Sequence, residues 1–336
     1  MVELKLYGTG TSGYQFLKKS LVDFLEFNHL DFKIEEVNDV ARFISDNINS
    51  VPSIAINGEQ PIEMSKEGDF KMGIIKIYHR IAGLYGKEQM RRILVPTDFS
   101  SSASTALHFA KIFCRQKYYT LDLLHVHHPS YIEIAKHPFE EDHTLETKTE
   151  LLEKTARAAE MDFVGDLLGS TPIVPVIKEG LAGDVIQDMS YQYEFIIMGS
   201  HGASNLFESL LGSVSHTVAS ESQCPVILVP PGVEFYKLSH VCILGNRLGR
   251  DISQEVHKVF PHVNVTRFEN QPLVLAGGHD DIHPMDEIDH CIEQEDTYFI
   301  TSMECYKHAR SIGDHTSLEP IYHKIQAKGR PLIVWP

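Results

Sequence analysis

Apolar positions change their spacing several times within the first eighty residues. Residues 2–7 alternate polar and apolar side chains, as a half-buried strand does, and residues 14–28 repeat apolar positions at helical spacing. A second strand is predicted at 32–37, a short helix at 39–47, and two more strands at 51–56 and 61–63. Asn57-Gly58 separates the last two, and Asn-Gly between apolar runs is a hairpin turn, so these strands are expected antiparallel. A helix over 70–81 closes the stretch, and 83–90 reads as a linker.

From Arg92 to Pro231 strand and helix alternate. Strands are predicted at 93–96, 121–126, 173–177, 195–198 and 226–229, with helices at 103–115, 145–168, 184–191 and 213–221. Short, continuous apolar strands separated by helices imply a parallel sheet covered on both faces. The last hundred residues repeat this pattern in abbreviated form, with strands at 241–244, 263–268, 273–276, 298–301 and 332–335. The closing Arg330-Pro-Leu-Ile-Val-Trp-Pro336 echoes Cys224-Pro-Val-Ile-Leu-Val-Pro230, which indicates an internal repeat lacking a counterpart of the 145–168 helix. The expected fold class is α/β, in three modules at 1–85, 92–231 and 236–336.

Composition narrows the partners. The 336-residue chain carries a formal charge of −16, which leaves no basic face for nucleic acid or an anionic membrane. A single bound phosphate needs only local donors and stays compatible with that charge. No run approaches the about 18 consecutive apolar residues of a membrane span, and the start lacks a signal peptide's basic and apolar regions, so a cytoplasmic protein is expected. The five cysteines are scattered without any C-x-x-C, which indicates neither a zinc knuckle nor a disulfide framework.

Two glycine patterns carry candidate chemistry. Gly8-Thr-Gly10-Thr-Ser-Gly13 follows a strand and opens a helix, with Glu35 further on, and formally meets the dinucleotide-binding fingerprint. The context fails it, because the chain then enters an antiparallel hairpin instead of adding parallel βα units. The stretch resembles instead a glutaredoxin-like thioredoxin fold. Tyr7-Gly-Thr-Gly-Thr11-Ser12-Gly13-Tyr14-Gln15 stands where that family has aromatic-x-x-x-Thr-Cys-Pro-Tyr-Cys, and Val51-Pro52 where it has its cis-proline loop. Ser12 and Gln15 replace both cysteines, and thiol–disulfide exchange requires a thiolate, so the resemblance implies a module without redox catalysis.

The second pattern is Gly199-Ser-His201-Gly202, then nine residues, then Gly212-Ser213-Val214-Ser215 opening a helix. Glycines let backbone N–H groups converge on a phosphate, and a helix N-terminus adds unpaired donors and a favourable dipole. The Ser213 and Ser215 hydroxyls add donors or cap the helix. On these residues the stretch 92–231 resembles the ATP-binding branch of the universal stress protein family, whose G-x-x-G–nine–G-[ST] signature is met. The end of its first strand, Val95-Pro96-Thr97-Asp98-Phe-Ser100, matches the family's V-P-x-D-x-S, whose aspartate contacts the adenosine. Asp98 is also a candidate N-cap, a task open to Ser100–Ser102. Leu124-His-Val126 matches the strand end whose valine backbone meets adenine, and Met198, His201, Val214 and Ser215 fall on family nucleotide contacts. The resemblance implies ATP, with Mg or Mn as its candidate accompanying ion, and either a homodimer or intrachain pairing of the two stress-protein stretches. The third stretch resembles the same fold without the site. It has Thr301-Ser-Met-Glu-Cys305 where the glycines stand, and Gly245-Asn-Arg where the aspartate stands.

Other constellations are weaker. His125-Val-His127-His128 and His279-Asp-Asp-Ile-His283…Asp286…His290 offer metal ligands, yet a family-typical strand end explains the first and a solvated acidic loop the second, so no metal site is expected in either. No nucleophile elbow and no P-loop lysine motif occur, and residues 199–215 contain no Lys or Arg. Binding is therefore favoured over fast hydrolysis, and no residue is assigned to catalysis. The expected function is nucleotide-gated stress response with an adenine nucleotide and a protein partner. The alternative is an interaction scaffold without a nucleotide.

Overall fold

The computed structural model describes residues 1–65, 70–86, 89–115, 118–127, 145–161, 171–200, 213–233, 238–245, 252–268, 284–311 and 319–336. They divide into two compact units. The first gathers 1–93, 111–122 and 150–175, and the second 94–110, 123–149 and 176–336.

In the first unit a four-stranded sheet has the order β2-β1-β3-β4. Strand β1 (Val2–Tyr7) runs parallel to β2 (Phe32–Val37) and antiparallel to β3 (Ser53–Ile56), which pairs antiparallel with β4 (Ile62–Glu63). The expected hairpin is present, with Asn57 at φ +50° and Gly58 at +74°. The Asn57 side chain accepts a 2.9 Å bond from the Glu3 N–H and ties the turn to β1. The Val51–Pro52 peptide is cis.

Helix Ser12–Phe27 is capped by Thr11, whose hydroxyl accepts from the Tyr14 N–H, and it buries Leu17, Leu21, Phe24 and Leu25. Phe24 stacks on Tyr78 of helix Phe70–Tyr85 with centroids 4.2 Å apart. Such pairs contribute about 0.5–1.5 kcal/mol beyond their burial. That helix continues to Tyr85, through Gly83 and Leu84, so the stretch read as a linker is partly helical. Beyond it the Arg91 N–H donates to Asn28 Oδ1 at 2.8 Å, and its guanidinium lies 4.6 Å from the Phe27 ring centroid.

The larger sheet has nine strands in the order β11-β10-β12-β13-β9-β8-β5-β6-β7. They are β5 (Arg92–Pro96), β6 (Thr120–His127), β7 (Ile173–Glu179), β8 (Phe195–Gly199) and β9 (Val226–Val229). The remaining four are β10 (His240–Leu244), β11 (Asn264–Phe268), β12 (Thr297–Ser302) and β13 (Leu332–Trp335). Helix Leu145–Met161 falls within the helix expected at 145–168, whose last residues, like the strand expected at 273–276, lie outside the described residues.

Pairing is parallel for β8–β9, β10–β11, β10–β12 and β12–β13. It is antiparallel at β13–β9, where Leu332, Ile333 and Val334 face Leu228, Ile227 and Val226. The two segments that echo each other in sequence are thus hydrogen-bonded side by side. All six side chains are 0% exposed, and each such burial contributes about 1.5–3 kcal/mol. Each of these strands closes what would otherwise be an open edge of the other. All five cysteines are free and buried.

Candidate functional site

Strand β5 has β6 on one side and β8 on the other. The chain leaves β5 toward β6 and β7, then crosses back to place β8 and β9 on the opposite flank. In open α/β sheets the crevice at such a switch of direction is where ligands bind, outside the carboxyl ends of the strands.

The end of β5 is held against the end of β6. The Thr97 N–H donates to the Leu124 carbonyl at 2.7 Å. His125 Nδ1 lies 2.9 Å from the Thr97 carbonyl oxygen, which can only accept, so Nδ1 carries the proton and donates. Burial lowers the pKa of His125 below its ordinary value, against the Thr97 bond, with the Lys148 and His127 charges pushing the same way as burial. The imidazole is therefore held neutral, and it packs 4.7 Å from the Phe99 ring. Lys148 lies 5.5 Å from the same ring.

Phe99 has φ +63°, rare for a residue with a side chain. Its N–H donates to Thr97 Oγ1 at 3.0 Å, and the Ser100 N–H donates to Asp98 Oδ1 at 3.0 Å. Ser100 Oγ in turn accepts from the Ala103 N–H at 3.2 Å and caps helix Ser101–Arg115. Capping thus falls to Ser100, while Asp98 braces the turn and presents an exposed carboxylate beside half-buried Pro96 and Thr97.

The end of β8 comes close to the start of that helix. A Cβ on Gly199 would meet Ser102 Oγ and lie 3.0 Å from the Ser102 carbonyl carbon and oxygen, so glycine is required by space. Buried Ser215 donates to the Gly199 carbonyl at 2.8 Å, joining β8 to the first turn of helix Ser213–Glu221. Ser213 and Val214 are exposed at that helix's start, Val126 is half-buried at the end of β6, and Met198 is buried in the core.

Of the residues picked from the sequence, Pro96, Thr97, Asp98, Val126, Met198, Gly199, Ser213, Val214 and Ser215 are described, on the strand ends and the helix start. His201, Gly202 and Gly212 lie outside the described residues, as do His128, His279 and His283 of the two histidine clusters. Ser215 uses its proton on Gly199, which makes it a positioning group. Sequence reading missed the parts of Phe99 and Lys148, and took Ser102 only as a candidate cap. Only the small residue at 199 signalled that another segment passes close by.

Residues 90–230 match the Universal stress protein family. The chain is 32% identical over 157 residues to a universal stress protein of Methanocaldococcus jannaschii, covering 41% of this chain and 94% of that one. Among solved structures, a universal stress protein from Archaeoglobus fulgidus is similar over 73% of this chain and 95% of its own, with 17% identity and a TM-score of 0.45. A universal stress protein in complex with cAMP is similar over 43% of this chain and 99% of its own, with 20% identity and a TM-score of 0.33. Among the described residues no helix is long and apolar enough to cross a membrane.

Proposed function

Because this chain belongs to the universal stress protein family, we propose that residues 92–231 bind an adenine nucleotide, ATP foremost, and that the bound nucleotide gates a stress-response function. The observation carrying this reading is the meeting of the Asp98 turn, the Val126 strand end and Gly199 at the switch point between β5 and β8. The groups present fit the ligand. The Asp98 carboxylate can accept from ribose hydroxyls or the base amine and would repel phosphate. The Val126 backbone offers a flat, half-buried edge to the base. Exposed Ser213 and Val214 begin a helix whose unpaired N–H groups and dipole favour phosphates.

Positioning is done by the latch from Ser215 to Gly199, which holds the helix start near the end of β8. Residues 199–215 hold no Lys or Arg to neutralise charge on a transferred phosphoryl group, so retention and slow turnover at most are the outcome. A Mg or Mn ion would accompany the phosphates.

The rest of the chain is read around this site. The seam β9–β13 supports residues 236–336 as a degenerate second copy that pairs inside the chain. The order β2-β1-β3-β4 supports residues 1–85 as a glutaredoxin-like module in which Ser12 and Gln15 preclude thiol exchange. Its role is then to dock a protein partner. The test is native mass spectrometry of the full chain purified without added nucleotide, with absorbance at 260 nm. A retained adenine nucleotide supports the reading, and a ligand-free chain that also fails to bind added ATP favours the scaffold alternative.

A further inference from the structure

The abbreviated third stretch carries soft metal donors that the nucleotide site does not use. His240, Cys242 and Cys291 place one ligand atom each within 4.8 Å of the other two. His240 and Cys242 are two apart on β10 and therefore share a face of the sheet. Cys291 lies on helix Pro284–Glu293. Both sulfurs are buried, and His240 is half-buried at the mouth of the group.

We propose that His240, Cys242 and Cys291 form a closed site for a thiophilic divalent cation, with zinc as the fitting case. Charge supports a divalent ion, since two thiolates, a neutral imidazole and a 2+ cation sum to zero and can be buried together. Chemistry supports a soft one. The group contains two sulfurs, one nitrogen and no carboxylate, the donor set of zinc and not of magnesium or calcium. Zinc–ligand lengths of about 2.0–2.3 Å put neighbouring donors roughly 3.3–3.8 Å apart, so from separations of no more than 4.8 Å the group contracts by at most about 1.5 Å.

The surroundings of His240 suit that role. Its Nε2 lies 2.8 Å from Thr266 Oγ1, a firm contact that fixes the ring, and its Nδ1 lies 3.4 Å from Gln294 Oε1, a loose one. The cation would take Nδ1, leaving the Nε2 proton on Thr266, the outer hydrogen bond that ligating histidines usually keep. Gln294 Oε1, or a water, completes four-coordination. Such an ion ties β10 to helix Pro284–Glu293, whose Ile288 and Ile292 share one buried apolar cluster with Cys242.

The full chain, reduced and stripped with chelator, is titrated with Co(II) and then with Zn(II). A thiolate-to-cobalt charge-transfer band, displaced by one zinc per chain, is the expected result, together with a thermal midpoint raised by zinc. The band is lost in Cys242→Ala and Cys291→Ala. It weakens at least tenfold in apparent affinity in His240→Gln, whose side chain sits at the mouth and is the variant used if the cysteine variants do not fold. A folded wild-type chain with all thiols reduced that shows no such band and retains no zinc overturns the proposal. So does a band undiminished in His240→Gln.

Discussion

Ser215 donates its hydroxyl proton to the Gly199 carbonyl, a buried 2.8 Å bond between residues sixteen apart. It joins the last residue of β8 to the first turn of helix Ser213–Glu221, the two ends of the stretch proposed above to hold phosphate. Ser215→Ala removes this buried hydrogen bond, costing about 0.5–1.5 kcal/mol of stability. The urea midpoint should fall by a corresponding amount, and ATP affinity about fivefold because the helix start is less well placed. Unchanged affinity with lowered stability would confine the latch to folding.

Asp98 is expected to serve the nucleoside end of the ligand. Since Ser100 caps the helix, Asp98→Ala should leave that helix intact and weaken ATP about ten- to a hundredfold, the loss of a charge-assisted bond. Inorganic triphosphate should bind the variant as well as or better than wild type, because a repelling carboxylate is gone. Competition titration reads both, and equal losses would put Asp98 against the phosphates instead.

His125 gives the site a pH dependence of definite sign. Its pKa is lowered in the folded chain, first by burial. The unfolded chain therefore takes up the proton earlier as pH falls, and stability present above the ordinary value near 6.5 is lost between that value and the lower folded one. Urea midpoints should drop on going from pH 7.5 to 5.5, by less in His125→Gln, whose amide can still donate to Thr97. An equal drop in both would show that other groups carry the effect.

The seam between β9 and β13 predicts what happens when it is opened. Residues 90–233 expressed without the third stretch expose Val226–Val229 as a free apolar edge, and should self-associate by light scattering. The full chain should not pair through that strand. A well-behaved monomer from the shorter segment would count against the third stretch as an internal partner.

Much of this was readable in the residues themselves. Val2–Tyr7, Phe32–Val37, Val226–Val229, Leu332–Trp335 and helix Ser213–Glu221 fall where their apolar spacing puts them, because each is bounded by turn-forming residues. The end of helix Phe70–Tyr85 was not, since Gly83 reads as a breaker, yet a single exposed glycine costs only about 1 kcal/mol and the buried Ile77, Tyr78 and Ile81 outweigh it. At the site, four neighbouring residues were all plausible caps, and only the turn through Phe99 decides for Ser100. The bond from His125 to Thr97 depends on β5 and β6 being neighbours, and the grouping of His240 and Cys242 with Cys291 depends on β10 meeting helix Pro284–Glu293, segments far apart in the chain. Local spacing holds no record of such meetings.

The adenine nucleotide is proposed to sit at the ends of β5, β6 and β8, with its phosphates at the start of helix Ser213–Glu221. Calorimetric titration of ATP into the full chain and into Gly212→Val tests it, with circular dichroism to show that both are folded. A side chain directly before the helix start should crowd the phosphates away from its N–H groups. One ATP per wild-type chain and an affinity at least tenfold weaker in Gly212→Val are expected. Equal binding by the two folded proteins, or none by wild type, would contradict it.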